Sequence, residues 1–221
     1  MIIFQSRYSH LQAKDAVYHT VRDGITEKII PIGTSFTVSS LAKFLYLSRT
    51  PVEYALNRLT QEKVIKTAKS NGFFTYHLSF KEAKESNEYL LNLYLNAHLM
   101  AKNNIDFYYN NLLNDQISKL QQTDDLKEFL SLGHLFHVSI AESTANEFLI
   151  TDFETESIRS SLVNLDYSNN EYSEKFMQEH VELDKALIDV INNGSPTDIF
   201  EQTQVHNKHI RHFIFERLLT F

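Results

Sequence analysis

The chain has 221 residues, 43% apolar and 22% charged, with a formal net charge of −7 and no cysteine. That length suits one large domain or two small ones, each able to bury a core, and the composition is that of a globular protein rather than a disordered or fibrous one. Disulfides and thiolate metal sites are excluded, and no apolar run approaches the ~18 residues that a membrane span requires. The opening Met1-Ile2-Ile3-Phe4-Gln5-Ser6-Arg7-Tyr8 lacks a basic region followed by a long apolar stretch, so no secretory signal and a cytoplasmic location are expected. With 3 Pro and 5 Gly, long helices are expected.

The net charge conceals an asymmetry. Residues 1–78 carry 10 Lys and Arg against 5 Asp and Glu, whereas residues 79–221 carry 11 against 23. A basic segment joined to an acidic one predicts that only the first part faces an anionic partner. The alternative is chance segregation of solvated charge.

Residues 10–30 read as a helix, with Val17, Val21, Ile25 and Ile29 recurring on one face. Pro31, Ile32 and Gly33 break it. Thr37 is placed to cap a short helix bearing Leu41, Ala42 and Leu45. After Tyr46-Leu47, Ser48 is a second N-cap candidate, and Pro51 falls in the first turn that follows, where its missing N–H costs little. Val52, Leu56 and Leu59 form the buried stripe of that helix. Two β-prone runs, 64–67 and 73–76, flank Ser70-Asn71-Gly72 and predict a hairpin. Helix, helix, turn, helix, hairpin is the order of a winged helix-turn-helix, whose second motif helix enters the DNA major groove.

No strand signal follows. A long helix is predicted from about Ser79, and others at about 104–121, 124–142, 147–165, 173–192 and 196–218. They carry apolar stripes such as Leu90, Leu93, Tyr94 and Ala97, or Leu130, Gly133, His137 and Ile140. The segment 166–172 reads as a loop, and 192–196 separates the last two helices. The fold class is therefore mainly α, with a winged helix-turn-helix at 1–78 and an all-helical bundle at 79–221.

Two blocks resemble one known family. Leu47-Ser48-Arg49-Thr50-Pro51-Val52, Ala55-Leu56 and Arg58-Leu59 are similar to the recognition-helix pattern of GntR-type regulators. Phe136-His137, Ile140-Ala141-Glu142-Ser143 and Asn146 resemble a motif of the all-helical FadR-type C-terminal (FCD) ligand-binding domain. The resemblance spans nearly the whole chain. It implies a homodimer that binds double-stranded operator DNA, probed by Ser48, Arg49, Thr50, Glu53 and Arg58 and supported by Lys66, Lys69, Asn71 and Gly72 of the wing. Arg49 suits guanine O6 and N7, and the hydroxyls of Ser48 and Thr50 suit phosphate or base edges. Glu53 departs from the family, which has arginine there. Either it reads a cytosine amine at the cost of repelling phosphate, or it turns to Arg49 one helical turn back.

Many members of that family hold a divalent metal through an Asp and a His four residues apart on one helix and a His on each of two later helices. His137 matches the first histidine, but the Asp position is Gly133. Counting back 22 residues from His206 gives Asp184 where a histidine is expected, with His180 one turn earlier on the same face. The resemblance thus implies His137, Asp184 and His206, with His180 close by, as ligands for Zn, Ni, Mn or Fe. The alternative is a lost metal site whose histidines are hydrogen-bonded core residues. His98 and His134 carry no role in this arrangement, and His209 and His212 are expected to be solvated. The family also implies a small organic-acid effector, most often a carboxylate, in the bundle. Arg159 and Asn146 are candidates to contact it, with a surface role for Arg159 as the alternative.

The expected function is a DNA-binding transcriptional regulator, a repressor by family habit, controlled by that effector. A metal-dependent enzyme on the helical domain, or a metabolite-binding dimer that has lost DNA regulation, are the alternatives.

Overall fold

The first helix ends where the chain folds back on it. In the computed structural model, which describes residues 7–26, 29–68, 72–163, 165–168 and 170–217, α1 runs Ala13–Thr26 and buries Val17, Val21 and Ile25. Ile30 N donates to Gly24 O at 2.7 Å. A Cβ on Gly24 would lie 2.8 Å from Ile30 Cδ1, so glycine is what lets the chain return so closely. The helix expected to reach residue 30 is therefore shorter, and Ile29 is exposed rather than part of its stripe.

Gly33, at φ 86°, makes the turn, and its N–H donates to Thr75 O at 2.9 Å. This contact starts a strand that the sequence did not announce, β1 at Ser35–Phe36. β2, Ile65–Ala68, and β3, Gly72–Thr75, form the expected hairpin. β1 pairs with the far edge of β3, giving an antiparallel sheet of order β1-β3-β2.

α2, Val38–Leu45, is held by a reciprocal cap: Ser40 N donates to Thr37 Oγ1, and Thr37 N donates to Ser40 Oγ. Such a cap stabilises by about 1 kcal/mol. Tyr46 then adopts a left-handed conformation, φ 57°, and turns the chain into α3, Arg49–Gln61. Val52, Ala55, Leu56 and Leu59 of α3 are fully buried, which fixes the helix against its neighbours and decides which residues face out.

The remaining helices are α4 Phe80–Ala101, α5 Phe107–Gln122, α6 Leu126–Ser143, α7 Glu147–Ser161, α8 Glu171–Asn193 and α9 Pro196–Arg217. Asp106, Asp125 and Asn170 cap α5, α6 and α8 through their side chains. By packing, the chain divides into Met1–Ser79 with Ile158–Asn164, and Phe80–Ser157 with Leu165–Phe221. The second unit has a continuous core that includes Leu90, Leu113, Phe129, Phe136, Ile140 and Phe213. None of the described helices is long and apolar enough to cross a membrane.

Candidate functional site

Two sets of residues stand out, one on the surface of the first unit and one at the centre of the second. On α3, the buried stripe forces Arg49, Thr50, Glu53, Tyr54 and Asn57 outward, and all are exposed. Ser48 occupies the N-cap in extended conformation, yet its side chain makes no cap bond. Its hydroxyl and the first N–H groups of α3 therefore remain available to an external acceptor. Among the described residues Arg49 and Glu53 form no ion pair with each other, so the intrahelical pairing considered for Glu53 is absent.

Arg58 does not belong with this face. Its guanidinium lies 3.7 Å from the centroid of the Tyr18 ring, and its Nε donates to Glu62 Oε1 at 2.9 Å. The Tyr18 hydroxyl donates to Glu62 Oε2 at 2.8 Å. Burial and the Glu62 charge raise the Tyr18 pKa. This triangle ties α1 to α3 and gives Arg58 packing partners within the unit. Lys66 is likewise engaged, with Nζ 3.8 Å from the Tyr76 ring centroid. Gly72 sits in β3 opposite Ala68, where a Cβ would come 3.4 Å from Phe36 O. Lys69 and Asn71 lie outside the described residues.

In the second unit, three helices converge on polar groups. His137 comes from α6, His180 and Asp184 from α8, and His206 from α9. All four are buried, and one ligating atom from each lies within 4.8 Å of the others. His206 Nε2 is 2.9 Å from Asp184 Oδ1, and His180 Nε2 is 3.8 Å from Asp184 Oδ2. Four atoms are left over: His137 Nε2, His180 Nδ1, Asp184 Oδ2 and His206 Nδ1 are buried without a hydrogen-bond partner. Each such group costs about 1–3 kcal/mol, and a cluster of them in a packed core calls for a ligand.

Burial pushes His137 far below the usual histidine range, and repulsion from His206, His98, His180 and His134 pushes it further. Burial lowers His180 to about 3 despite the opposing charge of Asp184. These rings are neutral near pH 7, which is the form that binds a metal. The donor set of three imidazoles and one carboxylate suits Zn, Ni, Mn or Fe.

Gly133 lies beside this cluster without contributing a donor. A Cβ there would already touch His180 Nε2 at 3.8 Å. Gly133 thus faces the His180 imidazole, and the carboxylate of the cluster is that of Asp184.

Asn146 accepts from Leu149 N at 3.1 Å and so caps α7. Arg159 falls, by packing, in the first unit. His209, expected in solvent, is half-buried and stacks on Phe176 with centroids 4.7 Å apart.

The sequence reading gave no role to His98, which is fully buried. It follows Tyr94 by one turn on the apolar stripe of α4, and that placement was the available signal. His98 Nε2 lies 3.2 Å from His137 Nδ1, and His98 Nδ1 lies 2.9 Å from Thr203 Oγ1. Tyr94 covers His137, their ring centroids 4.0 Å apart.

Residues 13–75 match the family model "Bacterial regulatory proteins, gntR family". No curated protein sequence matches the chain. Among solved structures, McbR/YncC of E. coli is similar over 93% of this chain and 98% of its own, at 18% identity and a TM-score of 0.72. A GntR transcriptional regulator of Rhodococcus sp. RHA1 is similar over 92% and 94%, at 13% identity and a TM-score of 0.59. At these identities the likeness is one of fold: a winged helix-turn-helix followed by a helical domain.

Proposed function

We propose that this chain, which carries a GntR-family DNA-binding domain at residues 13–75, is a dimeric cytoplasmic repressor released or tightened by a small organic acid. The observation that carries the first half is the exposed N-terminal face of α3. There Ser48, Arg49, Thr50 and Glu53 project without internal partners while the rest of the helix is locked into the core. In this reading the helix enters the major groove, Arg49 bridges guanine O6 and N7, and Ser48 and Thr50 hold phosphate or base edges. Two copies set two half-sites about one helical turn apart. Lys66, Lys69, Asn71 and Gly72 of the wing add backbone contacts.

The second half rests on the unpartnered donors of the helical unit, which we read as an FCD-type domain. His137, His180, Asp184 and His206 would hold a divalent cation there, and such a cation supplies positive charge and open coordination positions for a carboxylate. The chain itself contributes a buried donor set carried on three helices. For the effector to regulate, it must bind the two arrangements of the dimer with different affinity.

A gel shift with the DNA upstream of the chain's own gene tests the reading. Binding should weaken steeply between 50 and 200 mM salt, by about 10³-fold for six phosphate contacts. The absence of any shift at low salt would overturn it. A panel of small organic acids with metal-loaded protein should contain at least one that raises the melting temperature and alters the shift.

A further inference from the structure

Among the buried polar groups, His98 and Thr203 lie outside the four-donor set yet lead into it. His98 has both ring nitrogens occupied, Nδ1 by Thr203 Oγ1 at 2.9 Å and Nε2 by His137 Nδ1 at 3.2 Å. It therefore has no nitrogen to spare as a ligand. The nitrogen of His137 that remains is Nε2, buried and unpartnered.

A chain of two neutral imidazoles and a hydroxyl has two proton orders. In one, Thr203 donates to His98 Nδ1, His98 Nε2–H donates to His137 Nδ1, and His137 carries its proton on Nε2. That order presents an N–H to the donor cluster and cannot bind a cation. In the other, His137 Nδ1–H donates to His98 Nε2, and His98 Nδ1–H donates to Thr203 Oγ1. Only this order leaves a lone pair on His137 Nε2. We infer that His98, backed by Thr203, is the positioning residue that holds His137 in the tautomer able to ligate a metal.

The packing agrees with that role. His98, His137 and Thr203 are at most 1% exposed, and they come from three different helices, α4, α6 and α9. Tyr94 stacks on His137 and fixes the plane of its ring. Water is thus kept from substituting for His98 as the acceptor. An outer hydrogen bond of this type typically raises metal affinity 10- to 100-fold. The inference rests on reading His137, His180, Asp184 and His206 as a metal site.

Cobalt(II) is the probe, because its visible absorption reports the ligand set as well as occupancy. Wild type, His98→Leu, His98→Gln and Thr203→Val are titrated in competition with a chelator, and the unfolding of each metal-free protein is followed by circular dichroism. Leucine removes the acceptor, and cobalt affinity should fall about 10- to 100-fold with a shifted absorption band. Glutamine restores an acceptor oxygen and should recover most of the loss, which a general packing defect would not. If His98→Leu does not fold, Thr203→Val carries the test, with a smaller loss of affinity in the same direction. Equal affinity and spectrum in wild type and the folded variants overturns the positioning role and leaves the metal site standing. A glutamine variant no better than leucine also overturns it. A wild type that binds no cobalt overturns the metal site and this inference together.

Discussion

The two functional regions present opposite faces of the same helical pattern. On α3 the apolar stripe is structural, and the residues that matter are those it excludes: Arg49, Thr50 and Glu53 are exposed and unpaired. On α6, α8 and α9 the stripe itself carries the polar groups. His137, Asp184 and His206 sit where leucine would otherwise pack, and they are at most 1% exposed. A surface polar residue without a partner is solvated and costs nothing. A buried one costs about 1–3 kcal/mol, so burial turns the same observation into a sign of a ligand.

The largest expected effect breaks the buried side of that comparison. Metal at a thousand times its Kd should stabilise the protein by about 4 kcal/mol. For a chain of this size that is roughly 8–16 °C in melting temperature. Asp184→Asn, which keeps shape and removes the carboxylate charge, should abolish most of this rise, as should His206→Ala. Calorimetry with and without zinc measures it. An Asp184→Asn protein that gains as much from zinc as wild type would remove the carboxylate from the donor set.

Acid should expose the same region without metal. His180 is lowered to about 3 and His134 to about 4, both by burial, against an unfolded value near 6.5. Between the folded and unfolded values the unfolded chain binds more protons, so stability falls as pH falls. The chelated protein should therefore lose stability progressively from about pH 6.5 downward. His134→Leu should flatten that slope while leaving the four donors intact. A melting temperature independent of pH between 7 and 5 would contradict the neutral, desolvated state of these rings.

The two regions also differed in how far the residues alone disclosed them. Helix positions were legible nearly throughout, because the stripes are long and Thr37 is a recognisable cap, whereas the caps Asp106, Asp125 and Asn170 were not read and the starts they set fall two or three residues from those expected. β1 was not, because two residues have no periodicity and its pairing with β3 is made only in three dimensions. The donor cluster was legible through the family resemblance, whose spacing puts Asp184 22 residues before His206 with His180 one turn earlier. The link from His98 to His137 joins residues 39 apart on different helices, and no local pattern encodes it. The packing of Arg58 was not legible for a related reason. Its partners Tyr18 and Glu62 are chosen by how α1 packs on α3.

Those partners yield a paired test on the exposed side. Arg49→Ala should weaken operator binding by about 1–3 kcal/mol, roughly 5- to 150-fold, and relax the preference at one base position. Arg58→Ala should lower stability by about 1 kcal/mol through the lost ion pair and ring contact and change operator affinity much less. Gel shifts and melting curves on both variants decide. Equal loss of DNA affinity would return Arg58 to the DNA-facing set.

The smallest effect concerns Glu53, and it sharpens what the exposed face is for. Near phosphate, an exposed carboxylate without a cationic partner is repelled, yet it can accept from a cytosine amine in the major groove. Glu53→Gln removes the repulsion and keeps the shape. Affinity for unrelated DNA should rise severalfold at low salt, and the rise should fade as salt screens the charge. Affinity for the operator should rise less, or fall, because the contact to the cytosine amine loses its charge assistance as the repulsion is relieved. The ratio of the two affinities is therefore the quantity to measure. An unchanged ratio would leave Glu53 as a solvated charge on the helix. A ratio that falls would make it part of the code by which α3 recognises its site.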